Sequence, residues 1–111
     1  MTGLNRVLLI GRLTRDPDLR YTGHGRPVCT VGMALHRHFR KRDGSLGETV
    51  CFVDLQTADD LAEQCGKRFK KGEEVLVDGR LWTHQWKSRK TGQDRSKLMV
   101  LATSIEPLGT L

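Results

Sequence analysis

The segment Arg80-Leu81-Trp82-Thr83-His84-Gln85-Trp86 carries both tryptophans of a 111-residue chain whose other Phe and Tyr residues are only Tyr21, Phe39, Phe52 and Phe69. Read as a strand, alternate side chains share a face, so Arg80, Trp82, His84 and Trp86 stand together and Leu81, Thr83 and Gln85 oppose them. Flat rings beside cations make a platform for unpaired bases. Bases stack on rings whatever their identity, while Lys and Arg draw in phosphates. The nearby Lys87, Arg89, Lys90, Arg95 and Lys97 supply that charge on either side. Trp86 therefore reads as a stacking residue. Trp82 stays open between stacking a base and covering a barrel end or a subunit contact, because indoles are normally largely buried.

Phe39 lies in His36-Arg37-His38-Phe39-Arg40-Lys41-Arg42. A solvated basic turn accounts for those charges but leaves the phenyl unexplained, which favours binding. Phe52 falls on the polar face of a strand and joins Phe39 and Trp86 as a third stacking ring, with packing inside an oligomer as the competing account. Tyr21 and Phe69 read as structural.

His36 and His38 share a strand face but have no Cys or carboxylate at ligand spacing, so neither a metal nor any other cofactor is expected. With no Ser/His/Asp set and no phosphate-cradling glycine loop, no enzyme activity is expected either. Lys67, Arg68, Lys70 and Lys71 read as a solvated helix end favoured by the dipole.

These residues need a scaffold. The length suits one domain, 1–111, with a single core. Nineteen Lys and Arg against thirteen Asp and Glu give a formal charge of +6, which points to a polyanionic partner. The apolar run Val7–Ile10 is too short for a signal peptide or a spanning helix, so a cytoplasmic place without a membrane partner is expected. Cys29, Cys51 and Cys65 are an odd number without Cys-x-x-Cys spacing and read as small buried residues.

Residues 5–13 read as a first strand, ended near Pro17. Turn residues from Tyr21 to Pro27 lead to a bent second strand, Val28 to Leu35, and Arg40 to Gly44 make the next turn. In a third strand from Glu48, Cys51, Val53, Leu55 and Thr57 face the core, and Val50, Phe52, Asp54 and Gln56 face solvent. Ala58 to Gly72 is the helical candidate, with Leu61, Cys65 and Phe69 at i, i+4 and i+8, although Gly66 weakens it by about 1 kcal/mol. Glu74 to Trp86 turns Val75, Val77 and Leu81 inward, and a turn at Lys90 to Gln93 leads into Leu98 to Ile105. Three strands, a helix and two strands predict an all-β domain with one helix: an OB-fold, a five-stranded Greek-key barrel plugged at one end by the helix.

The stretches Asn5-Arg6-Val7-Leu8-Leu9-Ile10-Gly11-Arg12-Leu13 and Asp16-Pro17-Asp18-Leu19-Arg20-Tyr21 resemble the opening of the bacterial single-stranded DNA-binding proteins. Leu61-Ala62-Glu63, Lys71-Gly72, Val77-Asp78-Gly79-Arg80-Leu81 and Thr91-Gly92-Gln93-Asp94-Arg95 continue the resemblance in the same order. It implies an OB-fold, assembly as a homotetramer, and binding of single-stranded DNA in replication, recombination and repair, close to the nucleoid. By position, Phe39, Phe52 and Trp86 match the family's stacking sites, and Arg20 and Lys71 match basic ones. The chain departs at Ala58, where an aromatic is frequent, at Asp54 and Asp60, where some members are basic, and at Trp82 and His84, where some have arginine. Family members also extend through a flexible segment to an acidic tip that recruits replication and repair proteins. This chain stops at Leu111, so such recruitment is not assigned to it.

The expectation is a sequence-independent binder of single-stranded DNA. Phe39, Phe52, Trp82 and Trp86 stack bases; Arg37, Arg40, Lys41, Lys87, Arg89 and Lys90, with Arg20 and Lys71 from the resemblance, attract phosphates. Two alternatives stay open: a primosomal replication-restart adaptor of the PriB type, which would be a dimer, and an RNA-binding OB-fold protein.

Overall fold

A computed structural model describes residues 3–109. Its elements in chain order are β1 (Val7–Leu13), β2 (Asp18–Tyr21), β3 (Pro27–Arg40), β4 (Leu46–Ala58), α1 (Asp59–Arg68), β5 (Glu74–Lys87) and β6 (Asp94–Pro107). The strands run in the order β1-β5-β6-β4-β3-β2. A further β1–β3 pairing, Arg12 with Ala34 and Leu13 with Met33, closes five of them into a barrel. The expected OB-fold barrel is therefore present, with β2 as an extra strand on the outer edge of β3.

Closure depends on Gly11. A Cβ there would stand 2.6 Å from the Ala34 carbonyl oxygen and 2.8 Å from the Met33 side chain, so only glycine lets β1 cross from β5 to β3. Inside the ring, Leu13, Val31, Met33, Leu55, Val75, Val77, Val100 and Ile105 are buried with Ala62, Cys65 and Phe69 of the α1 segment. Each such aliphatic side chain stabilises the fold by about 1.5–3 kcal/mol relative to exposure.

The short strand β2 was not foreseen, since Pro17 and the polar run around it read as irregular. Its Leu19 packs on the core beside Gly66, where a Cβ would lie 3.2 Å from the Leu19 side chain. The glycine that weakens the helix thus makes room for β2.

The helix is shorter than expected. It ends at Arg68, Phe69 turns extended at φ −114°, and Lys70 and Lys71 lie beyond it. Asp59 starts it at φ 61°, a left-handed conformation that Asp tolerates better than most residues. The guanidinium of Arg26 donates two hydrogen bonds to the Asp59 carboxylate, at 2.9 and 3.1 Å.

Two expected core placements fail. Cys51 is exposed, because β4 runs past the end of the barrel there and its core-side face has nothing to cover it. Leu81 is 44% exposed although its partner Val100 is buried, because the β1–β5 pairing ends at Gly79 and only the Asn5 side chain continues beside it. Among the described residues no helix is long and apolar enough to cross a membrane.

Candidate nucleic-acid interface

β4 and β6 are parallel where they meet, Leu55 beside Val100 and Gln56 beside Leu101. The β3–β4 and β5–β6 hairpins therefore project from the same end of the barrel. Each is long because its strands continue beyond the core, and such overhangs carry the aromatic and basic residues.

On β5 the register sets Trp82 across from Met99, His84 from Lys97 and Trp86 from Arg95, all on the outer face. Three rings form a ladder there. Trp82 and His84 meet edge to face at 5.5 Å, and His84 stacks on Trp86 at 5.4 Å and 23°. Trp86 is 43% exposed and borders an open pocket of about 420 Å³ with Gln85, Asp94, Arg95 and Ser96. Trp82 is half-buried, and its indole Nε1 is covered with no hydrogen-bond partner among the described residues. Trp86, at the rim, offers its ring to a ligand, while Trp82 backs the ladder.

Phe52 is 73% exposed on the same outer face, level along the parallel register with Lys97. Phe39 is placed differently. It pairs with Gly47, its ring lies over that glycine, and the guanidinium carbon of Arg37 sits 6.0 Å from the ring centre, within cation–π range. Counting along the unbroken β3–β4 register, Phe39 and Phe52 stand on opposite faces of the ribbon. The three stacking candidates thus do not form one strip. Phe52 and Trp86 share a face, and a ligand touching Phe39 as well must wrap around the hairpin.

The basic residues fall into two groups. Arg37, Arg40 and Lys41 lie on the β3–β4 hairpin, and Lys87, Arg89 and Lys90 on the β5–β6 hairpin, all exposed at one end of the barrel. None has a carboxylate partner among the described residues. Their charge is available to an anion. Arg20 and Lys71 lie at the opposite end, beside the helix. Arg20 is already paired with Asp18 at 3.0 Å, and Lys71 is exposed, with its backbone N–H donating to Asp16.

One charged cluster on the outer face was not assigned a joint role from the sequence. Asp54 of β4 is paired with both Lys97 of β6 and Arg15 of the β1–β2 connection, the latter at 3.3 Å. Partial burial works to raise the Asp54 carboxyl, but the two cations more than offset it and hold it below its ordinary value. Neither strand spacing nor composition signals a contact among positions 15, 54 and 97. It arises from barrel closure.

His36 contacts Glu48 across the hairpin. Among the described residues no three His, Cys, Asp or Glu side chains converge as a metal site.

Residues 4–108 match the Single-strand binding protein family. The chain is 43% identical over 104 residues to a single-stranded DNA-binding protein of Wolinella succinogenes, covering 94% of this chain and 64% of that protein. It is 39% identical to a single-stranded DNA-binding protein of Helicobacter pylori, covering 92% of this chain and 56% of that protein. The chain thus spans somewhat less than two thirds of these relatives. Among solved structures, a deletion mutant of the Thermus aquaticus single-stranded DNA binding protein matches with a TM-score of 0.83 and 34% identity, over 97% of this chain and 52% of that one. A Plasmodium falciparum protein in complex with single-stranded DNA shares the fold, with a TM-score of 0.85 at 23% identity over 98% of each chain.

Proposed function

The chain belongs to the single-strand binding protein family, and from that premise we propose that this domain binds single-stranded DNA without regard to base sequence and without catalysing a reaction on it. The observation that carries the reading is the half-exposed Trp86, stacked on His84 at 5.4 Å and bordered by Arg95. A base that unstacks from its neighbours regains a ring surface there, and the adjacent cations take its phosphates. Phe52 and Phe39 extend the path over the β3–β4 ribbon, with Trp82 as the half-buried end of the ladder. Arg37, Arg40, Lys41, Lys87, Arg89 and Lys90 attract the backbone near these rings. Arg20 and Lys71 serve only a strand that continues around to the helix end.

Self-association as a homotetramer accompanies this reading. Leu8, Ile10 and Leu76 are exposed together on the outside of β1 and β5, flanked by the ion pairs Arg6–Asp78 and Arg12–Glu74. An apolar patch rimmed by charge suits a second copy, and light scattering reads the assembly. Roles in replication, recombination and repair near the nucleoid follow for a protein that covers transient single strands.

The test is titration of tryptophan fluorescence with oligo-thymidine of increasing length at two salt concentrations, against duplex and single-stranded RNA of matched length. Quenching by the single strand, weaker at high salt, is expected. Equal affinity for duplex overturns the proposal, and stronger binding of the matched RNA transfers it to RNA.

A further inference from the structure

The charged cluster at Asp54 borders the two aromatic groups of the outer face, and its Lys97 lies between them. Phe52 precedes Asp54 by two residues on the same side of β4, and Lys97 pairs across β6–β5 with His84, the middle ring of the ladder. A strand running from Phe52 to Trp86 crosses β6 beside Lys97, with Asp54 and Arg15 bordering that path on its barrel side. The exposures within the cluster are unequal. The Asp54 side chain is 22% exposed, whereas those of Arg15 and Lys97 are 49% and 52% exposed. The anion lies beneath, and the cations present their outer sides to solvent. Arg15 also lies over Gly32, the cross-strand partner of Asp54, where any larger side chain would displace it.

Ion pairs this open contribute little to stability, so a purely structural role leaves the placement unexplained. Resting on the single-stranded DNA reading, we propose that Asp54 is a built-in substitute for a backbone phosphate, which holds Arg15 and Lys97 in position on the interface and competes with DNA for them. A carboxylate offers the guanidinium and the ammonium the same acceptor oxygens as a phosphate diester. In the free domain the two long side chains are thereby kept ordered, which lowers the entropy lost when a phosphate replaces the carboxylate. The cost is that each incoming phosphate must displace an existing partner, so affinity is set below what the two cations alone would give.

The experiment compares the wild-type protein, Asp54→Asn, Arg15→Gln with Lys97→Gln, and the triple variant, each titrated with oligo-thymidine at several salt concentrations. Asp54→Asn is expected to bind about 3- to 10-fold tighter at low salt. Its salt dependence is expected to steepen by about 0.7 in log–log slope for each additional phosphate engaged. In the background lacking both cations the Asp54→Asn gain should vanish. A gain that persists there means that Asp54 merely repels DNA, which overturns the proposal. Unchanged or weaker binding by Asp54→Asn with an intact thermal transition overturns it too. Should Asp54→Asn fold poorly, the Arg15→Gln, Lys97→Gln double variant decides alone: weaker binding with a shallower salt slope supports the assignment, and binding equal to wild type overturns it. Failure of the wild-type protein to bind oligo-thymidine would instead remove the single-stranded DNA reading itself, an outcome visible in the same titration.

Discussion

The side-chain amide of Asn5 pairs in both directions with the backbone of Leu81: its Nδ2 donates to the Leu81 carbonyl at 2.8 Å, and its Oδ1 accepts from the Leu81 N–H at 2.9 Å. The β1–β5 register runs from Arg12 beside Glu74 to Val7 beside Gly79, and Asn5 beside Leu81 continues it. A side chain thus replaces a peptide group where the ladder would otherwise stop. This ties the start of the chain to β5 immediately before Trp82. Asn5→Asp keeps the acceptor but turns the donor into an oxygen that faces the Leu81 carbonyl. A loss of about 1–2 kcal/mol is expected at neutral pH, read as a fall in melting temperature. Asn5→Ala should lose less, because it leaves no opposed oxygens.

Truncating the exposed ring tests the interface directly. Trp86→Ala is expected to weaken binding of oligo-thymidine by about 1–3 kcal/mol, roughly 5- to 150-fold. Because Trp86 lies at the rim and outside the core cluster, its melting temperature should stay close to wild type. A fold-preserving Trp86→Ala with undiminished affinity would remove stacking at this position. Competition binding with a labelled oligonucleotide gives the number.

Which parts were readable in advance follows from physics at each site. Period-two alternation around Leu55 and Thr57, and at Val75 and Val77, signals core strands because one face of each is buried against the helix and the opposite wall. The alternation misleads at Cys51, where apolar residues continue onto a hairpin that leaves the barrel, and at Leu81, where β1 has ended beside the strand. The stacking candidates were legible as aromatic residues among charges, yet the opposition of Phe39 and Phe52 depends on where the β3–β4 register begins, which the turn at Lys41–Ser45 sets. Four residues of β2 gave no signal, since Asp18, Arg20 and Tyr21 are exposed and only Leu19 reaches the core. The Asp54 cluster was invisible because its members are brought together from two different strands and a connection.

Phe39 owes its position to a missing side chain. A Cβ on Gly47 would stand 2.6 Å from the Phe39 Cζ and 3.1 Å from the Lys41 Cε, so Gly47→Val must lift the ring off the ribbon. The backbone at Gly47 has no positive φ, and β-branched residues suit strands, so the hairpin itself should persist. The expected outcome separates binding from folding: affinity for single-stranded DNA falls, towards the value for Phe39→Ala, while the thermal transition moves little. Equal affinity for Gly47→Val and wild type would mean that the ring's present pose is irrelevant to the ligand.

Acid sensitivity should be traceable to Asp59. The guanidinium of Arg26 holds its carboxyl below the ordinary aspartate value, against a smaller opposing effect of burial. A carboxyl whose folded pKa lies below the unfolded value of about 3.9 contributes its stabilisation above that value and loses it as pH falls through the folded one. Asp59→Asn removes the charge while keeping a residue that accepts φ 61°. It should melt below wild type at pH 7, and the gap should close as pH drops below about 4. Asp59→Ala should show the same pH-dependent gap plus a further loss at every pH, because alanine has no side-chain group to favour the left-handed conformation. Thermal melts of the three proteins from pH 7 to pH 3 distinguish the two contributions. A gap for Asp59→Asn that stays constant over that range would mean the Arg26 pair adds nothing, and that the backbone at the start of α1 alone accounts for the residue.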